Sequence, residues 1–228
     1  MSGAMPPTSP TNQNPASVPL PGQVPLQPGP PLTRLAVMLS GTGRTMVNLH
    51  DRMLAGRLPG TIALVIASRE CRGAELARER GLDVRVMPGV IPAETLGRVL
   101  AEADVGLVAL AGYLRMLEIP PAYRDRIVNI HPALLPSFGG PGMYGRRVHE
   151  AVLAAGCKVS GCTVHLCDDR YDEGPILVQR ACEVKEDDTP ETLAARVFEL
   201  ELEAYPAALE LLMAGRVKVE GRRARILP

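Results

Sequence analysis

From Arg34 to Gly112 the chain alternates between two kinds of segment. "RLAVMLS", "TIALVIAS", "LDVRVM" and "DVGLVALAG" are short, almost unbroken runs of Val, Ile, Leu and Ala, whereas "RTMVNLHDRMLAGR" and "CRGAELARERG" place apolar residues at helical spacing. A strand that is apolar on both faces must be covered on both faces, and helices of that period supply the cover. The segment is therefore expected to be α/β: a doubly wound, mostly parallel Rossmann-like sheet with helices on both faces and right-handed crossovers.

Beyond position 156 the pattern changes to "KVSGCTVHLC" and "GPILVQRACEV", two strands joined by the acidic turn "DDRYDEGP", which predicts an antiparallel C-terminal extension of the same sheet. A long helix should follow, with Asp188 or Thr189 as N-cap, Pro190 in its first turn, and Leu193, Val197, Leu200 and Ala204 as one buried stripe. Pro206 is expected to kink or end it. "RVKVEGRRARIL" reads as a small hairpin turning near Gly221, its basic residues a solvated edge. Residues 1–33 hold ten of the 22 prolines, no charged side chain and no apolar periodicity, so they are expected to form a disordered tail ahead of one domain spanning 34–228.

Twenty-five Lys plus Arg balance 25 Asp plus Glu, so no global field draws in nucleic acid or an acidic membrane surface. No run approaches the roughly 20 apolar residues of a membrane span, and the first residues lack the basic start and apolar core of a signal peptide. The five cysteines include no CxxC pair, which points to reduced thiols in a cytoplasmic protein and not to a metal site. Either a monomer or a homodimer fits these totals.

Chemistry enters at two places. "SGTG", 40–43, lies between the first strand and the first helix, where backbone N–H groups can hold a phosphate, although glycines serve any tight strand-to-helix turn as well. Met46 occupies the position where a dinucleotide fingerprint needs its third glycine, which argues against hydride chemistry. In "NIHPALLP", 129–136, Asn129 and His131 would share one strand face with Cα atoms about 6.6 Å apart, while Val128 and Ile130 point into an apolar layer. Pro132 biases His131 toward extended backbone, delivering both polar side chains at a strand's carboxyl end, where open α/β sheets bind ligands. Either residue alone could simply satisfy backbone groups at a strand end. Together they suit stabilising an oxyanion and moving protons. A carboxylate from the 168–175 turn could hold His131 protonated, though acids are also ordinary in turns.

Taken in order, "SGTG", "LAGYLRML", "NIHPALLPSFGG", "GCTVH" and "YDEGPI" resemble the glycinamide ribonucleotide formyltransferases of purine biosynthesis, over essentially all of 34–228. The resemblance implies transfer of a formyl group from 10-formyltetrahydrofolate to the amine of 5-phosphoribosylglycinamide, by direct attack through a tetrahedral intermediate and without a metal. It implies that Gly43, Arg44 and Thr45 hold the substrate phosphate and that Glu201 contacts the ribose; by helical spacing Glu201 borders the apolar stripe of its helix, whereas Glu199 and Glu203 face away. Leu114, Arg115, Met116 and Leu117, with Asp168, Asp169, Arg170 and Tyr171, would line the folate pocket. Asn129 and His131 would polarise the formyl oxygen, while Asp172 keeps His131 charged and helps remove the amine proton.

Two departures stand out: many members carry Ser-Asn where this chain has Arg44 and Thr45, and "GGPGMYGRR" replaces a shorter Pro-Gly turn. His149 and His165 read as supporting residues. The alternatives are a formyltetrahydrofolate hydrolase, with water in place of the amine, and a non-catalytic nucleotide or folate sensor.

Overall fold

β1 (Arg34–Leu39) runs through the middle of the molecule in a computed structural model that describes residues 33–228. The tail expected over 1–33 therefore lies, Thr33 apart, outside the described residues. α1 (Arg44–Leu54), β2 (Thr61–Ala67), α2 (Arg72–Glu79), β3 (Val84–Val86), α3 (Ala93–Glu102) and β4 (Leu107–Leu110) follow in strict alternation, then β5 (Ile127–His131) and α4 (Arg146–Ala154). β6 (Val159–Leu166), β7 (Ile176–Glu183), α5 (Pro190–Met213) and the hairpin β8 (Val217–Glu220) and β9 (Arg223–Ile226) complete the chain.

The nine strands form one sheet in the order β3-β2-β1-β4-β5-β6-β7-β9-β8. β1 to β5 are parallel, and β6 and β7 are antiparallel to their predecessors, so the parallel half and its antiparallel extension are both as expected. β1 alternates between two cores: Leu35, Val37 and Leu39 pack with Met46 and Leu49 of α1 and with α5, while Ala36 and Met38 pack with Leu96 and Leu100 of α3. Strands buried on both faces are what the unbroken apolar runs require.

The order reverses between β1 and β4, because β2 and β3 were laid down on one side of β1 and β4 and β5 on the other. The carboxyl ends of β1, β4 and β5 flank that switch point, which opens a crevice beyond them.

α5 differs from the expectation at Pro206. Thr189 caps it through a capping box with Thr192, as predicted, but the helix continues past Pro206 to Met213. A proline leaves the carbonyl four residues earlier without its helical partner. That carbonyl belongs to Leu202, and the side-chain amide of Asn48 on α1 donates to it at 3.0 Å. Tyr205, fully buried, then pins α5 to the sheet: its hydroxyl lies 3.0 and 2.9 Å from the carbonyl oxygens of Leu110 and Val128. Both contacts hold the part of α5 that carries Glu201 over the ends of β4 and β5.

Candidate active site

A cavity of about 530 Å³ occupies the crevice, lined from the loops after β1 and β4, the end of β5, the β6–β7 turn, α4 and α5. Its first wall is built by close backbone approach. Gly43 has φ 76°, and a Cβ there would stand 2.5 Å from the Cα of Gly73 at the start of α2. Only glycine meets both demands, so the sharp turn into α1 is fixed by its sequence. Ser40 ties this loop to the next: its hydroxyl oxygen accepts from the Ser68 hydroxyl at 2.7 Å and from the Leu114 N–H at 3.0 Å. Its own N–H donates to the Gly112 carbonyl at 3.1 Å.

Gly43, Arg44 and Thr45 line the cavity at the N-terminus of α1, whose first turn contains no acidic side chain. The Arg44 guanidinium carbon sits 3.7 Å from the centroid of the Phe198 ring on α5. One turn further along α5, Glu201 also lines the cavity, while Glu199 and Glu203 are exposed, as the helical spacing predicted. Burial pushes the Glu201 carboxyl up to about 7, against the opposing charge of Arg44.

The second wall holds the expected catalytic group. Asn129 and His131 both emerge from β5 into the cavity, with Val128 and Ile130 in the core behind them. His131 Nε2 lies 2.8 Å from the Phe138 carbonyl and therefore carries the proton that bonds it; Nδ1 faces Asp172 Oδ2 at 3.5 Å. The other Asp172 oxygen lies 3.4 Å from the Asn129 amide nitrogen, and the Gly140 N–H donates to Oδ2 at 2.9 Å. Asp172 itself has φ 56°, a left-handed conformation that Asp tolerates better than most residues. Two neighbouring residues of β5 and an aspartate from the distant β6–β7 turn thus meet in one cavity.

Burial works against one expectation about this group, a His131 kept charged by Asp172. Asp172 does raise the proton affinity of His131, and so does the Phe138 carbonyl, but burial of a ring only 3 % exposed outweighs both and holds His131 below the usual histidine range. Desolvation penalises the charged form of the ring, and the half-buried carboxylate beside it opposes that penalty. Burial would by itself raise Asp172, yet hydrogen bonding to His165, the His131 charge and the Gly140 N–H together hold it below the ordinary carboxylate range.

The third wall comprises Leu114, Arg115, Met116 and Leu117 with Asp168, Arg170 and Tyr171, all lining the cavity. Asp169 does not reach it: the residue is exposed, and its carboxylate turns toward Arg124 at 3.8 Å. Asp168 Oδ1 accepts from the Arg170 N–H at 2.9 Å, closing a tight turn that sends adjacent side chains in different directions.

β6 supplies the residues that support this group, His165 among them as expected. His165 sits opposite Asn129 in the β5–β6 register. Its Nδ1 lies 2.9 Å from the Leu166 carbonyl, and its Nε2 stands 3.1 Å from the Asn129 amide nitrogen and 3.5 Å from Asp172 Oδ1. Thr163, opposite His131, donates to the Ala133 carbonyl at 2.7 Å and accepts from the Leu135 N–H and Gln179 Nε2, both at 3.0 Å, fixing the chain after the histidine. Both residues lie in the "GCTVH" stretch, and the antiparallel register sets which residues of β5 they meet. Among the described residues, no group of three or more His, Cys, Asp and Glu side chains is arranged to hold a metal ion.

The formyl transferase family profile matches residues 33–209. The chain is 41 % identical over 196 residues to the chloroplastic phosphoribosylglycinamide formyltransferase of Arabidopsis thaliana, covering 81 % of this chain and 67 % of that protein. The crystal structure of glycinamide ribonucleotide transformylase 1 from Symbiobacterium toebii superposes with a TM-score of 0.80 at 39 % identity, covering 86 % of this chain and 95 % of that one. A formyltetrahydrofolate deformylase from Pseudomonas syringae shares the fold at 22 % identity and a TM-score of 0.72, over 86 % of this chain and 66 % of its own.

Proposed function

The chain belongs to the phosphoribosylglycinamide formyltransferases of the formyl transferase family, and from that premise we propose how its cavity moves a formyl group from 10-formyltetrahydrofolate to the amine of 5-phosphoribosylglycinamide. The observation that carries the reading is the convergence of Asn129, His131 and Asp172 on a cavity that also takes in the Gly43–Thr45 turn. One set suits a carbonyl becoming tetrahedral; the other suits an anion.

Gly43, Arg44 and Thr45 receive the phosphate and Glu201 the ribose hydroxyls, which brings the substrate amine toward β5. The wall of Leu114, Met116 and Leu117, apolar side chains on an irregular loop with accessible backbone groups, fits a flat ring bearing hydrogen-bonding edges. The folate cosubstrate supplies the formyl carbon. As the amine nitrogen bonds to that carbon, the C=O pair moves onto oxygen and Asn129 donates a hydrogen bond to it. The amine proton passes to Asp172, which its donors keep ionised and able to accept. The same proton goes on to the departing folate nitrogen as its bond to the formyl carbon breaks. An oxyanion forming beside the His131 ring adds a second negative charge to that of Asp172 and favours its protonation. No covalent enzyme intermediate is needed.

Small molecules are then the only partners the chemistry requires. Among the described residues no helix is long and apolar enough to cross a membrane. The cysteines at 71, 157, 162, 167 and 182 are all unpaired, which supports a reducing compartment such as the cytoplasm.

The test is formyl transfer to synthetic 5-phosphoribosylglycinamide, with formate release followed in parallel. Formylated nucleotide that accumulates with one tetrahydrofolate per turnover is expected. Formate released at the same rate whether or not the nucleotide is present would instead identify a hydrolase, and ligand binding with no product over long incubation a sensor.

A further inference from the structure

Arg44 is an unusual residue to find where it stands. It occupies the first position of α1, where the helix dipole disfavours a cation, so helix stability gives no reason for it. Two of the other three arginines that line the cavity are neutralised, Arg146 by Glu150 and Glu191 and Arg170 by Glu173, and the third, Arg115, belongs to the wall opposite, after β4. Among the described residues no carboxylate lies within ion-pair distance of Arg44. What it has is Phe198, with the guanidinium carbon 3.7 Å from the ring centroid. A guanidinium stacked on a ring keeps its in-plane N–H groups free, because the face is used for the ring and the edge is not. Both residues line the cavity beside Gly43 and Thr45.

We propose that Phe198 is a specificity-determining residue that acts through Arg44, holding the guanidinium edge toward a substrate phosphate so that a side-chain fork joins the backbone N–H groups of the α1 turn. The inference rests on the reading that this part of the cavity takes the phosphate. It goes beyond that reading by assigning a role to a residue on α5 and by making selectivity for a phosphorylated ligand depend on an aromatic platform. Leucine at 198 would fill similar space but offer no negative ring face; lysine at 44 would keep the charge but lose the planar fork.

Ribose 5-phosphate is the direct probe, titrated calorimetrically into the full chain, with ribose as the control. Arg44→Ala is expected to weaken ribose 5-phosphate by about ten- to a hundredfold, the scale of charge-assisted hydrogen bonds. Phe198→Leu is expected to weaken it by about three- to tenfold, and Phe198→Tyr, which keeps the ring, to restore it. In turnover assays the same variants should raise KM for the phosphorylated amine with kcat changed far less. No binding of the probe by the unaltered chain, equal binding by Arg44→Ala, or equal binding by Phe198→Leu would each overturn the inference. If the unaltered chain transfers no formyl group while the probe still depends on Arg44 and Phe198, the reaction assigned above falls and this inference stands. If product forms normally and both variants keep the parent KM, this inference alone falls.

Discussion

Asp172 and Glu201 line one cavity from different elements, the β6–β7 turn and α5, and their surroundings drive them in opposite directions. Burial penalises the charge of both. Around Asp172 it is overcome by hydrogen bonding to His165, the nearby His131 ring and the Gly140 N–H, and the carboxyl stays ionised well into acid. Around Glu201 only the charge of Arg44 opposes it, and the carboxyl is left at about 7. Donors at contact distance, more than depth, decide which buried acid carries charge. The region assigned a proton in the proposed mechanism is over-determined by hydrogen bonds, and the region assigned a ligand is not.

The sharpest way to break this contrast is to remove the over-determined acid. Asp172→Asn keeps the shape but cannot take the amine proton, and turnover is expected to fall by about 10²- to 10⁴-fold, the range for losing a general base. The same change deletes the charge that raises His131, so the ring, followed by NMR, should titrate at still lower pH than in the parent. Near-normal turnover, or a His131 midpoint that rises, would show that Asp172 does not act as described.

Asn129→Ala comes next, with an expected loss of about 10²- to 10³-fold in kcat and little change in KM for either substrate, as for other oxyanion donors. Its amide is held at 3.1 Å from His165 Nε2, so His165→Ala should lower kcat in the same sense by less. Equal losses in kcat and in substrate affinity for Asn129→Ala would point to a ground-state contact instead.

The contrast also follows what could be read from the sequence. Periodicity placed Asn129 and His131 on one face of β5, and it separated Glu201 from Glu199 and Glu203, because in strands and helices spacing fixes direction. It had no hold on the 168–172 turn, where Asp168 lines the cavity and Asp169 faces solvent. Nor could it foresee that Pro206 lies inside α5, since the group that satisfies the freed carbonyl is Asn48, on another helix. The burial that opposes a charge on His131 was not legible for a related reason: a carboxylate partner can be guessed from a motif, but the depth of the ring depends on everything packed around it. Phe198 escaped, and His165 was legible only as a supporting residue without its contacts, because their partners, Arg44 and Asn129, are brought to them only by the folded sheet.

Thr163 tests the scaffold of the over-determined region. Thr163→Val keeps the volume but removes the acceptor of the buried Leu135 N–H and the donor to the Ala133 carbonyl. A loss of about 1–3 kcal/mol in unfolding free energy is expected from leaving such groups unpaired, read from denaturant midpoints, with a smaller drop in kcat as the segment after His131 loosens. Unchanged stability would mean that the threonine network does not hold this segment.

The smallest effect belongs to Glu201 and is visible only through pH. An unfolded glutamate ionises near pH 4.3, and in the folded protein this one holds its proton to about 7. Folding therefore takes up a proton between those values, and the stability this carboxyl leaves intact below the lower value is lost as pH rises through the higher one. Glu201→Gln cannot ionise and should escape that loss. The variant and the parent are expected to unfold at the same denaturant concentration near pH 4, with the variant ahead at about pH 8 by on the order of 1–2 kcal/mol once solvent access to the half-buried carboxyl is allowed for. Adding ribose 5-phosphate should narrow the gap at high pH in the parent, because a ligand that supplies donors to the carboxylate makes its ionised form less costly. A gap of equal size at both pH values would show that Glu201 titrates like any surface acid, and the contrast with Asp172 would then rest on packing and not on charge.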